Sequence, residues 1–354
     1  MKKIVSLVIL LFLLFFLNGC YDYVDVSKSL HVNSICFDID EEKSKYIVYY
    51  HLTNSTTLTT SELGNSTPTS DVFSIAKGEG EDIYEAMEQI SVNTNRKIEL
   101  THVRAIIFSK KFINIKNLTI VHNFIETTTY LFPDPNIYVT ESEITDILSL
   151  KNVENGSPYF SLIADHNTKE HYILTPYIEI TKFLSKEYNT LNIPILVATK
   201  DIWSNDKDKL VSISISGRYY LNQSDISYII KDEVDKGLVF LESNKSFEIS
   251  YKNILYEVIS LKKKYKVISQ DEIVLKIKMR VYINEMDYSK KNNLKIDFRL
   301  ETLKVIGSLI ENSQNNNFDI FDIENKVYRR GKLKSSFDYK ATNMSIILDI
   351  TFTN

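Results

Sequence analysis

Apolar residues along this chain recur at two different spacings, and the change from one to the other divides it. From Val211 onward a period of two dominates. Val211, Ile213 and Ile215 alternate with serines, and Leu275, Ile277, Met279, Val281 and Ile283 alternate with Lys276, Lys278, Arg280 and Tyr282. Met344, Ile346, Leu348, Ile350 and Phe352 repeat the pattern near the end. Such alternation predicts strands with one buried and one wet face, the habit of antiparallel sheets. Between the last two strands, Leu300, Leu303, Ile306, Leu309 and Ile310 predict an amphipathic helix, with Gly307 inside it and Asn315-Asn316-Asn317 ending it.

The first half mixes shorter signals. Strands are predicted over Val32 to Ile39 and Tyr46 to Leu52, joined by the acidic turn Asp40-Glu41-Glu42. Thr53 to Ser70, crowded with Ser, Thr and Asn, reads as an exposed loop. Gly78-Glu79-Gly80-Glu81-Asp82 reads as a turn opening a helix, whose buried face is Ile83, Met87 and Ile90 with Ala86 beside them. These glycines lack the Lys-Ser/Thr of a phosphate loop, and the neighbouring acids would repel an anion. A strand at Val103 to Phe108, a helix near Leu118 to Ile125 and a turn at Pro133-Asp134-Pro135 follow. Next come a strand at Ile137 to Thr140 and a short helix at Glu143 to Leu150. Tyr172 to Leu196 holds apolar runs broken by Pro176 and Pro194, leading to a linker around Thr199 to Lys209 that contains Trp203. The sum is an α+β protein of at least two modules, split near residue 200.

The first twenty residues obey neither period. Lys2 and Lys3 precede an apolar run, Ile4 to Leu17, broken only by Ser6 and ending in Leu17-Asn18-Gly19-Cys20. The run is shorter than the roughly 20 residues a membrane-spanning helix needs, and it fits the apolar region of a signal peptide. Its end matches a lipobox, in which the cysteine thiol takes a diacylglycerol and becomes the mature N-terminus. Residues 1–19 are therefore expected to be a lipoprotein signal peptide, with Cys20 the lipidation site. One acyl chain binds a bilayer only marginally, at about 0.8 kcal/mol per buried methylene, so stable residence needs the several chains of such a modification.

Composition narrows the rest. With 44% hydrophobic and 25% charged residues the body is that of a globular protein. Formal charge is −4, and removing Lys2 and Lys3 with the leader makes it −6. That balance gives no electrostatic case for nucleic acid and argues against adhesion to a membrane through a broad basic face. Besides Cys20 there is one cysteine, Cys36, so no intrachain disulfide is expected, and Cys36 reads as a small buried hydrophobe.

Groups that could carry chemistry do not assemble in the sequence. His166 and His171 in HNTKEH are not spaced as a zinc motif, and His31, His51, His102 and His122 are scattered without metal-ligand spacing. There is no Gly-x-Ser-x-Gly elbow, and an acid pair such as Asp319 and Asp322 is too common to indicate catalysis. No catalytic residue, cofactor, metal or small-molecule ligand is expected.

Taken in order, these features resemble the Ger(x)C family, the lipoprotein C subunits of nutrient germinant receptors in endospore-forming bacteria. The quoted landmarks are Cys20-Tyr21-Asp22, the strand and turn Ile35 to Glu42, Gly78 to Met87, Thr101 to Phe108 and Asp134 to Leu148. In the second half they are Ile215-Ser216-Gly217-Arg218-Tyr219-Tyr220, Gly237 to Leu241, and the final helix with Asn317-Phe318-Asp319-Ile320-Phe321. The chain departs from the family where Asp322-Ile323-Glu324 follows that step in place of a frequent glycine. The resemblance implies about three small modules of mixed or antiparallel sheet with packed helices, two in residues 20–198 and one in 210–354. It also implies a non-enzymatic subunit on the outer surface of the spore inner membrane, acting with two integral membrane subunits in nutrient sensing. The competing expectation is a substrate-binding lipoprotein of a transporter, which the antiparallel-looking second half disfavours.

Overall fold

The computed structural model describes residues 29–53, 73–127, 135–148, 174–187, 189–204, 209–231, 237–240, 246–251, 254–283, 291–332 and 337–353. The leader with Cys20, residues 21–28, nearly all of the Thr53–Ser70 loop, the Pro133-Asp134 turn and both histidines of HNTKEH lie outside them.

Ten strands form the first sheet: β1 (Ser29–Asp40), β2 (Lys45–Thr53), β3 (Phe73–Gly80), β4 (Lys97–Glu99), β5 (Ala105–Ser109), β6 (Asn136–Thr140), β7 (Thr175–Pro176), β8 (Thr190–Ser204), β9 (Lys209–Asn222) and β10 (Ser227–Lys231). Their order is β10-β9-β8-β6-β5-β1-β2-β3, with β4 beside β1 and β7 beside β6. The centre, β8-β6-β5-β1, is parallel, and antiparallel strands flank it on both sides. All five residues of β5 and of β6 are buried, as expected of parallel strands covered on both faces. On one face lie α1 (Ile83–Val92), α2 (Ile115–Thr127) and α4 (Ile178–Leu184), packed over Phe37, Val48, Ile106 and Val139. On the other face α3 (Ile144–Leu148) packs on Cys36, Ile107, Tyr138 and Leu196. The α+β class and the buried Cys36 agree with the sequence reading, and burial pushes the Cys36 thiol far up from its ordinary range.

Two local expectations change. Gly78 and Gly80 belong to β3 and not to the turn, which is Glu81-Asp82. Asp82 caps α1 by accepting a hydrogen bond from the Glu85 N–H at 2.8 Å, and Glu85 reaches back to the Glu81 N–H at 2.6 Å. The glycines are there because α1 lies on the strand: a Cβ on Gly78 would stand 1.9 Å from the Ala86 carbonyl oxygen. The segment read as a linker is also strand, for β8 runs to Ser204 and pairs with β9 from Lys209, Trp203 opposite Leu210. A polar segment without alternation gives no strand signal; only its partner reveals it.

The second sheet has the order β11 (Phe247–Tyr251), β12 (Ile254–Val267), β13 (Glu272–Ile283) and β14 (Asn343–Thr353). Alternation in β13 is realised residue by residue, with Ile273, Leu275, Ile277, Met279, Val281 and Ile283 inside. The sheet is mixed: β11, β12 and β13 pair antiparallel, and β14 runs parallel to β13. Two helices, α5 (Lys291–Asn315) and α6 (Ile323–Tyr328), separate these strands, and such a crossover returns the chain in the same direction. The helical stripe also shifts: Leu300 is 60% exposed, whereas Leu294, Phe298, Thr302, Ile306, Leu309 and Ser313 are buried. Thr302 and Ser313 hide their hydroxyls by donating to the Phe298 and Ile310 carbonyls at 2.8 Å each, so polar residues occupy apolar positions. Asn317 ends α5 in the left-handed region at φ 52°, its N–H on Gln314 and that of Phe318 on Ser313.

Gly307 sits in the interior of α5 with nothing within 4 Å of a Cβ placed on it. Gly307→Ala should therefore raise stability by about 1 kcal/mol, while Gly78→Ala should lower it by several times as much. Urea unfolding of both variants checks the opposite signs.

Candidate functional site

The two sheets meet at one polar and aromatic junction, built from both halves of the chain. Its first part is the turn after α4. Lys186 adopts φ 62°, which lets its own N–H and that of Glu187 satisfy the Phe183 and Lys182 carbonyls and turns the chain into β8. The second part is the segment Asp319 to Arg329. Asn189 donates through Nδ2 to Glu324 Oε2 at 2.8 Å, and Thr190 Oγ1 donates to the Asp319 carbonyl at 3.0 Å. In the other direction Asn325 Nδ2 donates to the Glu187 carbonyl at 3.0 Å. Behind these bonds Tyr228 of β10 packs on Phe318, ring centroids 5.7 Å apart, and its hydroxyl donates to Asn312 Oδ1 of α5 at 2.6 Å.

Asp319 organises the segment. Its Oδ2 accepts the Glu324 N–H at 2.9 Å and so caps α6 from four residues before the helix starts. Its Oδ1 is buried with no hydrogen-bond partner. Burial, partly offset by the Ile323 and Glu324 N–H groups and by Lys326, pushes the carboxyl up to about 6. Lys326 is half-buried, and its desolvation lowers the ammonium from the ordinary lysine value; it donates to the Phe321 carbonyl and stands 4.6 Å from the centre of the Tyr265 ring. Asp322 takes the left-handed conformation, φ 53° and ψ 43°, and its Oδ1 accepts from Asn325 Nδ2 at 2.8 Å. The two acids thus serve as a helix cap and a turn.

Half of the chain, residues 22–198, matches the family model described as the spore germination protein N-terminal domain. The chain belongs to the Ger(x)C spore germination family. Among solved structures it is similar to the one titled "Crystal Structure of the GerBC protein", at 13% identity and a TM-score of 0.44, covering 90% of this chain and 96% of that one. No curated protein matches.

Several landmarks quoted for this spore germination family acquire a physical role. Ser216-Gly217 is a β-bulge: Ile195 pairs with Gly217 and the next residue, Leu196, with Ile215. Gly237 lies in a helical turn over 237–240, where a Cβ would stand 3.0 Å from the Val305 carbonyl of α5. Asp322, where the resemblance leads to the expectation of glycine, has a positive φ, a conformation glycine adopts freely and Asp tolerates better than most residues.

The remaining candidates separate. His31 and His102 meet edge to face at 4.9 Å, and burial followed by repulsion from His102 lowers the His31 pKa. His51 is buried in β2, which lowers it to about 4. His122 Nδ1 lies 2.7 Å from the Tyr177 hydroxyl. Among the described residues no three His, Cys, Asp or Glu come together to hold a metal ion. Sequence reasoning missed Asn189, Thr190 and Lys326 altogether; only the position of Asn189 and Thr190 after a helix end could have drawn attention to them.

A carboxyl whose pKa is higher folded than unfolded contributes stability at low pH that is lost as pH rises through the folded value. Asp319 should therefore cost the fold on the order of 2 kcal/mol between about pH 4 and pH 6. Asp319→Asn should flatten that part of the stability–pH curve, measured by urea unfolding at a series of pH values; an unchanged slope would place the carboxyl in water.

Proposed function

We propose that this chain is the lipid-anchored, non-enzymatic subunit of a nutrient germinant receptor in spores. The observation that carries the reading is the match of residues 22–198 to the spore germination protein N-terminal domain. That match begins two residues after Cys20, so the anchor leads directly into the family domain. In this reading Cys20 carries the acyl chains and holds the body at the outer surface of the spore inner membrane. Among the described residues no helix is long and apolar enough to cross a membrane. Two integral membrane subunits are the partners, and tethering beside them raises the effective concentration of a body that works through protein contacts. It takes no cofactor and no small-molecule ligand of its own; the nutrient is met by the partners.

Cys20→Ala should abolish lipid labelling and impair nutrient-triggered germination. Normal germination after deletion of the gene, in a strain without redundant receptors, would contradict the reading.

A further inference from the structure

The acidic overall balance hides a local excess of positive charge. On the face of the second sheet turned away from α5, Lys262, Lys264 and Lys266 of β12 and Lys276, Lys278 and Arg280 of β13 are all exposed. The register sets Lys262 directly opposite Lys278 and Lys264 directly opposite Lys276. Like charges so placed oppose strand pairing, and nothing in the fold requires them. Two acids share this end of the face: Glu272, and Asp349 of β14, which pairs with Lys278 at 3.4 Å. Arg280 donates to Ser260 at 3.0 Å. Lys262, Lys264, Lys266 and Lys276 have no ion pair among the described residues. Ile347, 50% exposed, stands opposite Lys276 on the same face.

We propose that this face rests on an anionic bilayer, the ammonium groups meeting lipid phosphates and Ile347 entering the interfacial layer. A sheet face presents its charges as a surface, and compact, hydrated lysine heads on flexible stems suit a diffuse field of anions. A protein partner is the weaker match, because protein interfaces favour Arg and are depleted in Lys, and this face has five lysines to one arginine. The choice of a bilayer rests on the proposed tether; the clustering of charge does not. Glu248 and Glu257, opposite each other on β11 and β12, make the far end of the sheet acidic, so the face would tilt its basic end toward the membrane.

The test uses residues 20–354 with Cys20→Ser, which keeps every described element and carries no lipid. Co-sedimentation is measured with vesicles of phosphatidylglycerol and phosphatidylcholine, and with phosphatidylcholine alone. Binding to the anionic vesicles only, weakened by salt, is the expected result. Each lysine removed should weaken it about fivefold, so Lys262→Gln, Lys264→Gln and Lys276→Gln together should weaken it about a hundredfold. The same three changed to Arg should retain it. The glutamine variant should melt no lower than its parent, since two opposed like-charge pairs are relieved. No binding to either vesicle, equal binding to both, or binding to polyglutamate in place of vesicles would overturn the proposal. Because the protein tested lacks the lipid, each of these outcomes leaves the Cys20 anchor to its own experiment.

Discussion

Strand β9 belongs to one sheet and packs into the cores of both, and the architecture turns on how it does so. Before the bulge, Ile213 and Ile215 face Cys36, Ile107 and Leu196. The extra residue at Ser216-Gly217 inverts the alternation, because side chains change face at every step along a strand. After it, Tyr219 enters the helix-covered core of the first sheet, and Tyr220 enters the core of the second. β10 follows the same division, with Ile229 on Tyr219 and Tyr228 on Tyr220. The two halves therefore share apolar surface, and a disturbance of one edge strand is felt in both cores.

The polar junction fixes the angle of that shared contact. Apolar packing is non-directional; the hydrogen bonds from Asn189, Thr190 and Asn325 are not. They converge on a short helix whose cap, Asp319, is a buried carboxylate held partly protonated near pH 6. These bonds join the turn after α4 to the segment Asp319 to Arg329 in a fixed orientation. The left-handed turn at Asp322 lets α6 start at once, bringing Glu324 and Asn325 to the turn after α4.

Much of the fold was legible in the sequence, for reasons particular to each element. The strand β13 and the buried face of α1 follow directly from periods of two and 3.6, because each packs one face only. The parallel β14 was not legible, since alternation reports burial and is silent on direction. Thr302 and Ser313 escaped because their hydroxyls bond back to the helix, and Gly78 because the reason for a missing Cβ is a helix eight residues further on. The junction was least legible: Asn189 and Glu324 are far apart in the chain, and neither stands in a pattern. The sum of charges misled as well, as it averaged a basic sheet face against acids elsewhere.

The central claim is that this family member works as a membrane-held subunit through protein contacts. Affinity purification of the chain from detergent-solubilised spore membranes, followed by identification of what travels with it, tests that most directly. The account predicts two integral membrane proteins of one germinant receptor in fixed proportion to the chain. Recovery of a transporter permease and its ATPase, or of the chain by itself under conditions that keep other receptors intact, would contradict it.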